Sequence, residues 1–428
     1  MLANAILLVL GAATTFIISK KKIQKKKIQG KTRKEMQKKK KRQRVYMDGC
    51  FDLMHFGHAN ALRQARQTGT ELVVGLVSDE EILRCKGPPV LNACERVKCV
   101  KAVKWVDDVI EDVPYELHPE FVERLFTEYG IDFIVHGDDP CLLPDGTDAY
   151  EIPKRLGKYR EIKRTEGVST TDLVARLLEF ADMNSSSNES DKSDFDFGGK
   201  HVEDNEKSGK NPVVVQKRHE ARFCTTASRI AQFAAKVEYS ATSKINNEDI
   251  NRKMNYINHD NKVKSCCYVV GVFDVFNAGH VEMLEECQQL SQKVICAVIA
   301  DEYLSFEQTN KPLPLLNQSE RAMSVIACRH CDDVVVGAPA RVTDDICKTF
   351  NVTTVVFEDE ASVTEEDRMV CKRNNAKIET VSEKTFSRKK ITIAKRVQEN
   401  RALFEARQKR KMASEAAYYE QKAFVQEE

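Results

Sequence analysis

The stretch Asp52-Leu53-Met54-His55-Phe56-Gly57-His58 carries two imidazoles three residues apart with a glycine between them. It follows a predicted strand and opens a predicted helix. A helix start presents unpaired backbone N–H groups and the positive end of the helix dipole, which together suit a phosphate. Gly57 lets an anion approach the backbone with no Cβ in the way. Two histidines on one turn can face the same anion. They can stabilise charge growing on a bridging oxygen, by hydrogen bond or as cations. One core histidine beside one surface histidine is the plainer alternative. The strand before, the helix after and a second occurrence of the frame weigh against it.

Two further elements carry charge. Lys86-Gly87-Pro88-Pro89 is a rigid loop with one lysine. Such a lysine is usually solvated; near phosphates it becomes a mobile point charge. Arg164-Thr165-Glu166-Gly167-Val168-Ser169-Thr170-Thr171-Asp172 precedes a predicted helix. Ser169 or Thr170 can cap that helix. An arginine, a glycine and hydroxyls at a helix start also make a second anion cradle. Two cradles in one domain suggest a polyphosphate.

These residues need a scaffold. The expected strands are Val45–Met47, Glu71–Val77, Val106–Ile110 and Phe133–His136. Helices are expected near His58–Thr68, Ala93–Lys104, Pro119–Tyr129 and Thr170–Ala181. This alternation predicts an α/β domain with a mostly parallel sheet flanked by helices, whose ligands bind beyond the carboxyl ends of the strands. The same segment then returns: Val45 to His58 matches Cys267 to His280, Asp79-Glu80 matches Asp301-Glu302, and Glu95-Arg96 matches Glu320-Arg321. The body is two tandem Rossmann-like copies, 45–182 and 266–398. A linker, 183–265, is polar over Asn184–Lys210 and has apolar helical spacing over Phe223–Val237, which predicts docking. Residues 399–428 end the chain in a helix whose amphipathic pattern begins at Ala394, suited to docking or a short coiled coil. The tandem arrangement predicts an intrachain pseudo-dimer and leaves a homodimer open.

The 428 residues carry a formal charge of +2 and are 42% apolar, which excludes a disordered or collagenous chain. Between Lys20 and Arg44 stand 12 Lys, 3 Arg and 1 Glu, a local +14 that leaves −12 for the rest. Bulk charge therefore excludes a nucleic-acid binder. The basic collar, 20–44, follows an uncharged apolar run from Leu2 to Ser19. As a helix that run spans about 27 Å, near the thickness of a bilayer core. Residues 1–19 are thus expected to form a transmembrane helix with the catalytic body facing the cytosol, at the ER or the mitochondrial outer membrane. Import into mitochondria is the rival reading. The cysteines are scattered, and Cys328 and Cys331 have no zinc-spaced partners, so a buried pair at a helix end is expected.

The His-x-Gly-His frame and the Arg164–Asp172 stretch resemble the paired signatures of the cytidylyltransferase branch of the nucleotidylyltransferase superfamily. The run His136 to Tyr150 and the tandem arrangement resemble the ethanolamine-phosphate cytidylyltransferase family in particular. That resemblance implies cytidylyl transfer from CTP to phosphoethanolamine, giving CDP-ethanolamine and pyrophosphate. It implies that His55 and His58 meet the CTP phosphates and that Lys86 bridges donor and acceptor phosphates. Arg164 with Ser169 and Thr170 would hold the β- and γ-phosphates. Cys50, Phe51 and Gly57 would serve the nucleotide, as would Thr165, Val168 and Thr171. His136, Gly137, Asp138 and Asp139 would line its cytosine and ribose side. Asp52, Trp105, Asp107 and Tyr150 are the candidates on the substrate side, where a carboxylate or an aromatic face suits an ammonium. Mg2+ is expected to arrive with CTP, with no protein-only metal site.

The second copy departs from this pattern. Asn277 stands in place of His55, Asn310-Lys311-Pro312-Leu313-Pro314 replaces the Lys-Gly-Pro-Pro loop, and Phe357-Glu358-Asp359-Glu360 replaces His136 to Asp139. Asp274 and His280 remain. This copy is expected to fold alike, support the first copy and not turn over CTP. Phosphocholine or another small phosphate ester is the alternative acceptor. A non-catalytic membrane-anchored scaffold is the alternative from another class.

Overall fold

The computed structural model describes residues 42–139, 141, 143, 146–165, 167–189, 230, 232–234, 265–304, 313–358, 360–380, 390–410 and 413. The apolar N-terminal run lies outside them, as does the basic collar up to residue 41 and most of the linker. Among the described residues no helix is long and apolar enough to cross a membrane.

In the first copy, strands β1 (Arg44–Gly49), β2 (Glu71–Val77), β3 (Asp108–Val113), β4 (Phe133–Gly137) and β5 (Tyr159–Ile162) form one sheet, ordered β3-β2-β1-β4-β5. Every pairing is parallel. β2 is buried along its whole length, as expected of a strand covered on both faces. Helices α1 (Phe56–Gln67), α2 (Asp79–Lys86), α3 (Ala93–Ala102), α4 (Pro119–Thr127), α5 (Glu151–Arg155) and α6 (Thr170–Glu189) connect and flank the strands. The strand order reverses between β1 and β4, so the crevice beyond their carboxyl ends is the natural ligand position.

The second copy repeats the plan. Its strands β6 (Cys266–Gly271), β7 (Lys293–Ile299), β8 (Asp333–Ala338), β9 (Val352–Phe357) and β10 (Lys377–Thr380) are ordered β10-β9-β6-β7-β8, again all parallel. Its helices are α7 (Ala278–Leu290), α8 (Gln318–Ile326), α9 (Asp344–Phe350), α10 (Glu365–Arg373) and α11 (Lys390–Glu399), followed by α12 over 401–410. The turn at Asn400 divides the expected C-terminal helix in two.

Some elements differ from the sequence expectation. The third strand runs Asp108–Val113 rather than Val106–Ile110, because Asp107 turns its carboxylate back onto the Leu72 N–H at 2.8 Å. β5, α2 and α5 were absent from the sequence pattern. α2 carries one buried residue, Ile82, and so shows no apolar stripe. α6 continues to Glu189, past the expected Ala181.

The copies meet through reciprocal contacts. Arg176 on α6 donates to the Leu315 carbonyl at 2.8 Å and pairs with Glu320 at 3.6 Å. Arg396 on α11 reaches the Val90 carbonyl at 3.5 Å and pairs with Glu95 at 2.7 Å. Each arginine thus seeks the helix-capping glutamate of the other copy. Between them Val103 and Cys328 form an antiparallel bridge, and the buried Arg329 donates to the Val103 and Val106 carbonyls at 2.8 Å each. Apolar clusters cross the seam: Leu173, Leu177 and Val90 pack with Val275, Ile393 and Val397. Within the linker, Ile230 and 232–234 are helical, and Phe233 is buried edge-on against Trp105, 5.1 Å between ring centroids. Every described cysteine is a free thiol, with Cys328 and Cys331 both buried.

Candidate active site

The turn from β1 into α1 sets the site. Phe51 and Leu53 take left-handed backbone angles, φ 46° and 48°. Such a conformation costs a bulky residue roughly 1–3 kcal/mol and persists only where its surroundings impose it. Asp52, buried between them, accepts from the Val90 N–H at 2.8 Å and the Leu91 N–H at 2.9 Å. The fully buried Arg96 holds the Cys50 carbonyl at 2.8 Å, the Val77 carbonyl at 2.9 Å and Asp79 at 2.6 Å. Thr170 donates its hydroxyl to the Asp52 carbonyl at 3.2 Å. The turn is thereby tied to β2, to the loop before α3 and to the start of α6.

His55 is the N-cap of α1. Its Nδ1 accepts from the Gly57 N–H at 3.1 Å and the His58 N–H at 3.4 Å, which puts the proton of the neutral ring on Nε2. The His55 and His58 rings stack, centroids 3.9 Å apart. Gly57 is required: a Cβ there would meet Val168 at 2.7 Å and the His55 ring at 2.9 Å. Burial, with Lys86 and Arg164 nearby, lowers His58 to about 4, so it is a neutral imidazole at pH 7. Its buried Nδ1 has no hydrogen-bond partner among the described residues.

These groups border a cleft of about 770 Å³ beyond β1 and β4. Cys50, Phe51, His55, Gly57 and His58 form one wall. Lys86 forms another, as the last residue of α2 rather than part of a loop; Gly87, φ 98°, ends that helix. Lys86 lies 5.0 Å from the Tyr115 ring centroid. Its ammonium is held above the usual lysine range, first by the adjoining Cys50 sulfur and against the effect of burial. Arg164, Thr165, Val168, Ser169, Thr170 and Thr171 also line it. Ser169 accepts from the Asp172 N–H at 3.1 Å and so caps α6, while Thr165 accepts from Asn60 at 2.8 Å. His136 and Gly137 complete the floor, His136 lying 4.3 Å from the Tyr150 ring.

Several expected roles change. Trp105 is a core residue, packed on Phe233. Asp107 is buried and holds Arg66 at 2.7 Å besides the Leu72 amide. Neither lines the cleft. Asp52 does, but its carboxylate is committed to two amides; it positions the turn. Asp138 accepts from the Arg164 N–H at 2.8 Å and Asp139 pairs with the Arg164 guanidinium at 3.2 Å, so both orient Arg164. Tyr150 is buried and donates to Asp48 at 2.6 Å, behind the lining rather than in it.

Asp48 is a cleft residue that the motif reading missed. Burial raises its carboxyl, opposed by the Tyr150 hydrogen bond and by His136 and Lys86. The signal was available: the apolar strand of the first copy ends on Asp48 where the second has Val270. Arg96 and Arg407 were also missed, because each acts across the fold. Among the described residues no cluster of three His, Cys, Asp or Glu is placed to hold a metal ion.

A parallel sheet reversing at the crevice, with an imidazole-capped helix start and two cationic walls, defines a nucleotidyltransferase-type site. The cytidylyltransferase-like family model matches residues 46–176 and again 268–414. An ethanolamine-phosphate cytidylyltransferase of Arabidopsis thaliana is 41% identical over 393 residues, 90% of this chain and 87% of that protein. Those of Dictyostelium discoideum and Mus musculus are 39% and 35% identical, covering 88% of this chain and 97% and 91% of their own lengths. A probable choline-phosphate cytidylyltransferase of Schizosaccharomyces pombe matches over 32% of the chain, at 44% identity. The chain belongs to the cytidylyltransferase-like family, within its ethanolamine-phosphate cytidylyltransferase branch.

Proposed function

We propose that the first copy catalyses cytidylyl transfer from CTP to phosphoethanolamine. A phosphate oxygen of phosphoethanolamine attacks the α-phosphorus of CTP in line. The new P–O bond forms as the bond to the β-phosphate oxygen breaks, and pyrophosphate leaves. No covalent enzyme intermediate is required, so positioning and charge neutralisation supply the rate. The carrying observation is that three ethanolamine-phosphate relatives match across both copies, over 88–90% of the chain, whereas two choline-phosphate relatives match over 32%.

The geometry fits this chemistry. His58, neutral through burial, donates a hydrogen bond to a phosphate oxygen or takes up a proton as the polyanion arrives. His55, proton on Nε2, is a second donor beside it. Lys86 and Arg164 neutralise charge in the cleft; Arg164 exchanges Asp139 for phosphate. Asp48 is the buried carboxylate suited to the ammonium end. Mg2+ would be held by the oxygens of the triphosphate, the Asp52 carboxylate being given to the Val90 and Leu91 amides. Its chemistry there is to neutralise phosphate charge. Assaying purified protein with CTP and phosphoethanolamine, phosphocholine or glycerol 3-phosphate tests the reading. A preference for either of the last two overturns it.

The second copy serves as the intrachain partner that supports the first. The apolar run 1–19 and the collar 20–44 anchor the body at a membrane with the enzyme facing the cytosol. Carbonate extraction of membranes and protease protection of intact organelles test the anchor. Release by carbonate, or protection of the body, overturns it.

A further inference from the structure

Two arginines from beyond the second sheet line the cleft of the first copy: Arg407 and Arg410, on α12. Three contacts dock this part of the chain on the first copy. Phe404 is buried with Leu177 and Leu178 of α6. Arg401 grips Asp182 with two bonds, 2.7 and 3.0 Å. Arg396, on the preceding helix, grips Glu95 with bonds of 2.7 and 3.2 Å. Three residues apart, Arg407 and Arg410 share one helix face.

Arg407 stands close enough to Asp52 and Lys86 to act electrostatically on both. The Asp52 oxygens are already given to two amides, and Lys86 is a like charge. Neither arginine forms an ion pair among the described residues. Guanidinium groups held beside a lysine in a cleft, with no carboxylate partner among the described residues, form a site for a phosphate. The sequence offers no such pair after the equivalent arginine of the first copy. Arg176 and Arg396 occupy equivalent positions by their contacts, and eleven and fourteen residues beyond Arg176 the sequence has Ser187 and Ser190.

We infer that Arg407, with Arg410 beside it, binds a phosphate group of the substrates, so that the first copy's site is completed by the chain that follows the second. This rests on the nucleotidyltransferase reading and explains physically what the second copy contributes. The shared ligand chemistry is phosphate, either the β,γ-phosphates of CTP or the phosphate of phosphoethanolamine.

The test uses the full chain and the variants Arg407→Ala, Arg407→Lys and Lys409→Ala. Lys409 is an exposed cation on the same helix, outside the cleft. Arg407→Ala is expected to raise at least one KM fivefold or more, with partial recovery in Arg407→Lys and no change in Lys409→Ala. A rise for CTP assigns the polyphosphate; a rise for phosphoethanolamine assigns the acceptor. Less than fivefold in both, or an equal rise in Lys409→Ala, overturns the inference. If the alanine variant is misfolded by its thermal transition, Arg407→Gln replaces it under the same thresholds. Should the wild-type chain make no CDP-ethanolamine, the activity reading fails by itself. Calorimetry with inorganic pyrophosphate then still judges Arg407, an affinity unchanged in Arg407→Gln overturning the site.

Discussion

At the strand-to-helix turn of the first copy, His55 caps α1 through Nδ1, and the His58 Nδ1 has no hydrogen-bond partner among the described residues. At the same turn of the second copy, Asn277 caps α7. It accepts from the Gly279 N–H at 2.9 Å and donates to the Val275 carbonyl at 2.9 Å. His280 now accepts the Asn277 N–H with its Nδ1 at 3.2 Å and stacks on Phe276, so its ring is spent on the fold. The backbone turn beneath the histidines is shared. Phe273 and Val275 repeat the left-handed angles, Asp274 accepts from the Leu315 and Leu316 amides, and Arg321 repeats the carbonyl contacts of Arg96. The strained turn and its buried arginine therefore belong to the architecture. What differs is above them: Glu358 replaces Gly137, and its carboxylate takes the Val272 N–H at 3.3 Å, at the strand end where the first copy's cleft is open.

The sharpest test of this contrast pairs His58→Ala with His280→Ala. The first is expected to lower kcat by about 10²–10⁴-fold, the usual range for a group that moves or stabilises a proton in the transition state. The second should leave kcat within about threefold while losing one helix-cap bond worth about 1 kcal/mol. Equal loss of kcat in both, with both folded, would break the assignment of chemistry to one copy. Next in size is Gly137→Glu, which installs the second copy's carboxylate in the first. A side chain there presses on Asp139, the partner of Arg164. The KM for CTP should rise by about tenfold or more, from one unpaired anion set against phosphate; an unchanged KM would remove Glu358 as a reason for the difference between the two copies.

Asp52→Asn and Asp274→Asn should cost similar stability, roughly 1–3 kcal/mol each, since either change weakens two buried amide contacts. Denaturant midpoints measure this. Activity is expected to fall with the first and stay with the second. A stability loss confined to one copy would mean that the turns are not equivalent. The smallest effect is in pH. His58 and His280 are both lowered to about 4, chiefly by burial. The unfolded chain binds these protons near 6.5 and the folded chain does not, so stability is retained above about 6.5 and declines as pH falls toward 4. Replacing either histidine with Asn should flatten that slope, read from melting temperatures across the window. CTP binding should weaken the effect of Lys86 and Arg164 on His58 and so draw in a proton, whereas no proton uptake is expected at His280.

The two lowered histidines also show why titration alone does not locate the chemistry. Burial dominates at both rings, and what separates them is the partner of Nδ1 and the neighbouring charges, Lys86 and Arg164 beside His58 and Asp274 beside His280. The sequence carried much of the site, because the groups that cradle phosphate lie within a few residues of one another. His55, Gly57 and His58 are one turn of helix, and Arg164 to Thr171 one loop and helix start. It misassigned Trp105 and Asp107, since an aromatic ring and a carboxylate look alike in sequence whether they face a core or a cleft. It also passed over Asp48, a buried carboxylate directly after the apolar residues Val45 to Met47.

By itself the sequence determined the repeat, the alternation of strand and helix, the phosphate-type motifs and the loss of His55 and Gly137 from the second copy. Those follow from local spacing, where the period of a strand or the start of a helix fixes which groups sit together. Tertiary structure alone decided which carboxylates were committed to backbone amides, how Arg176 and Arg396 reciprocate across the seam, and that Arg407 comes to the first cleft from the end of the chain. Those depend on how buried surfaces pair over long separations, and no local pattern encodes where a distant helix will dock.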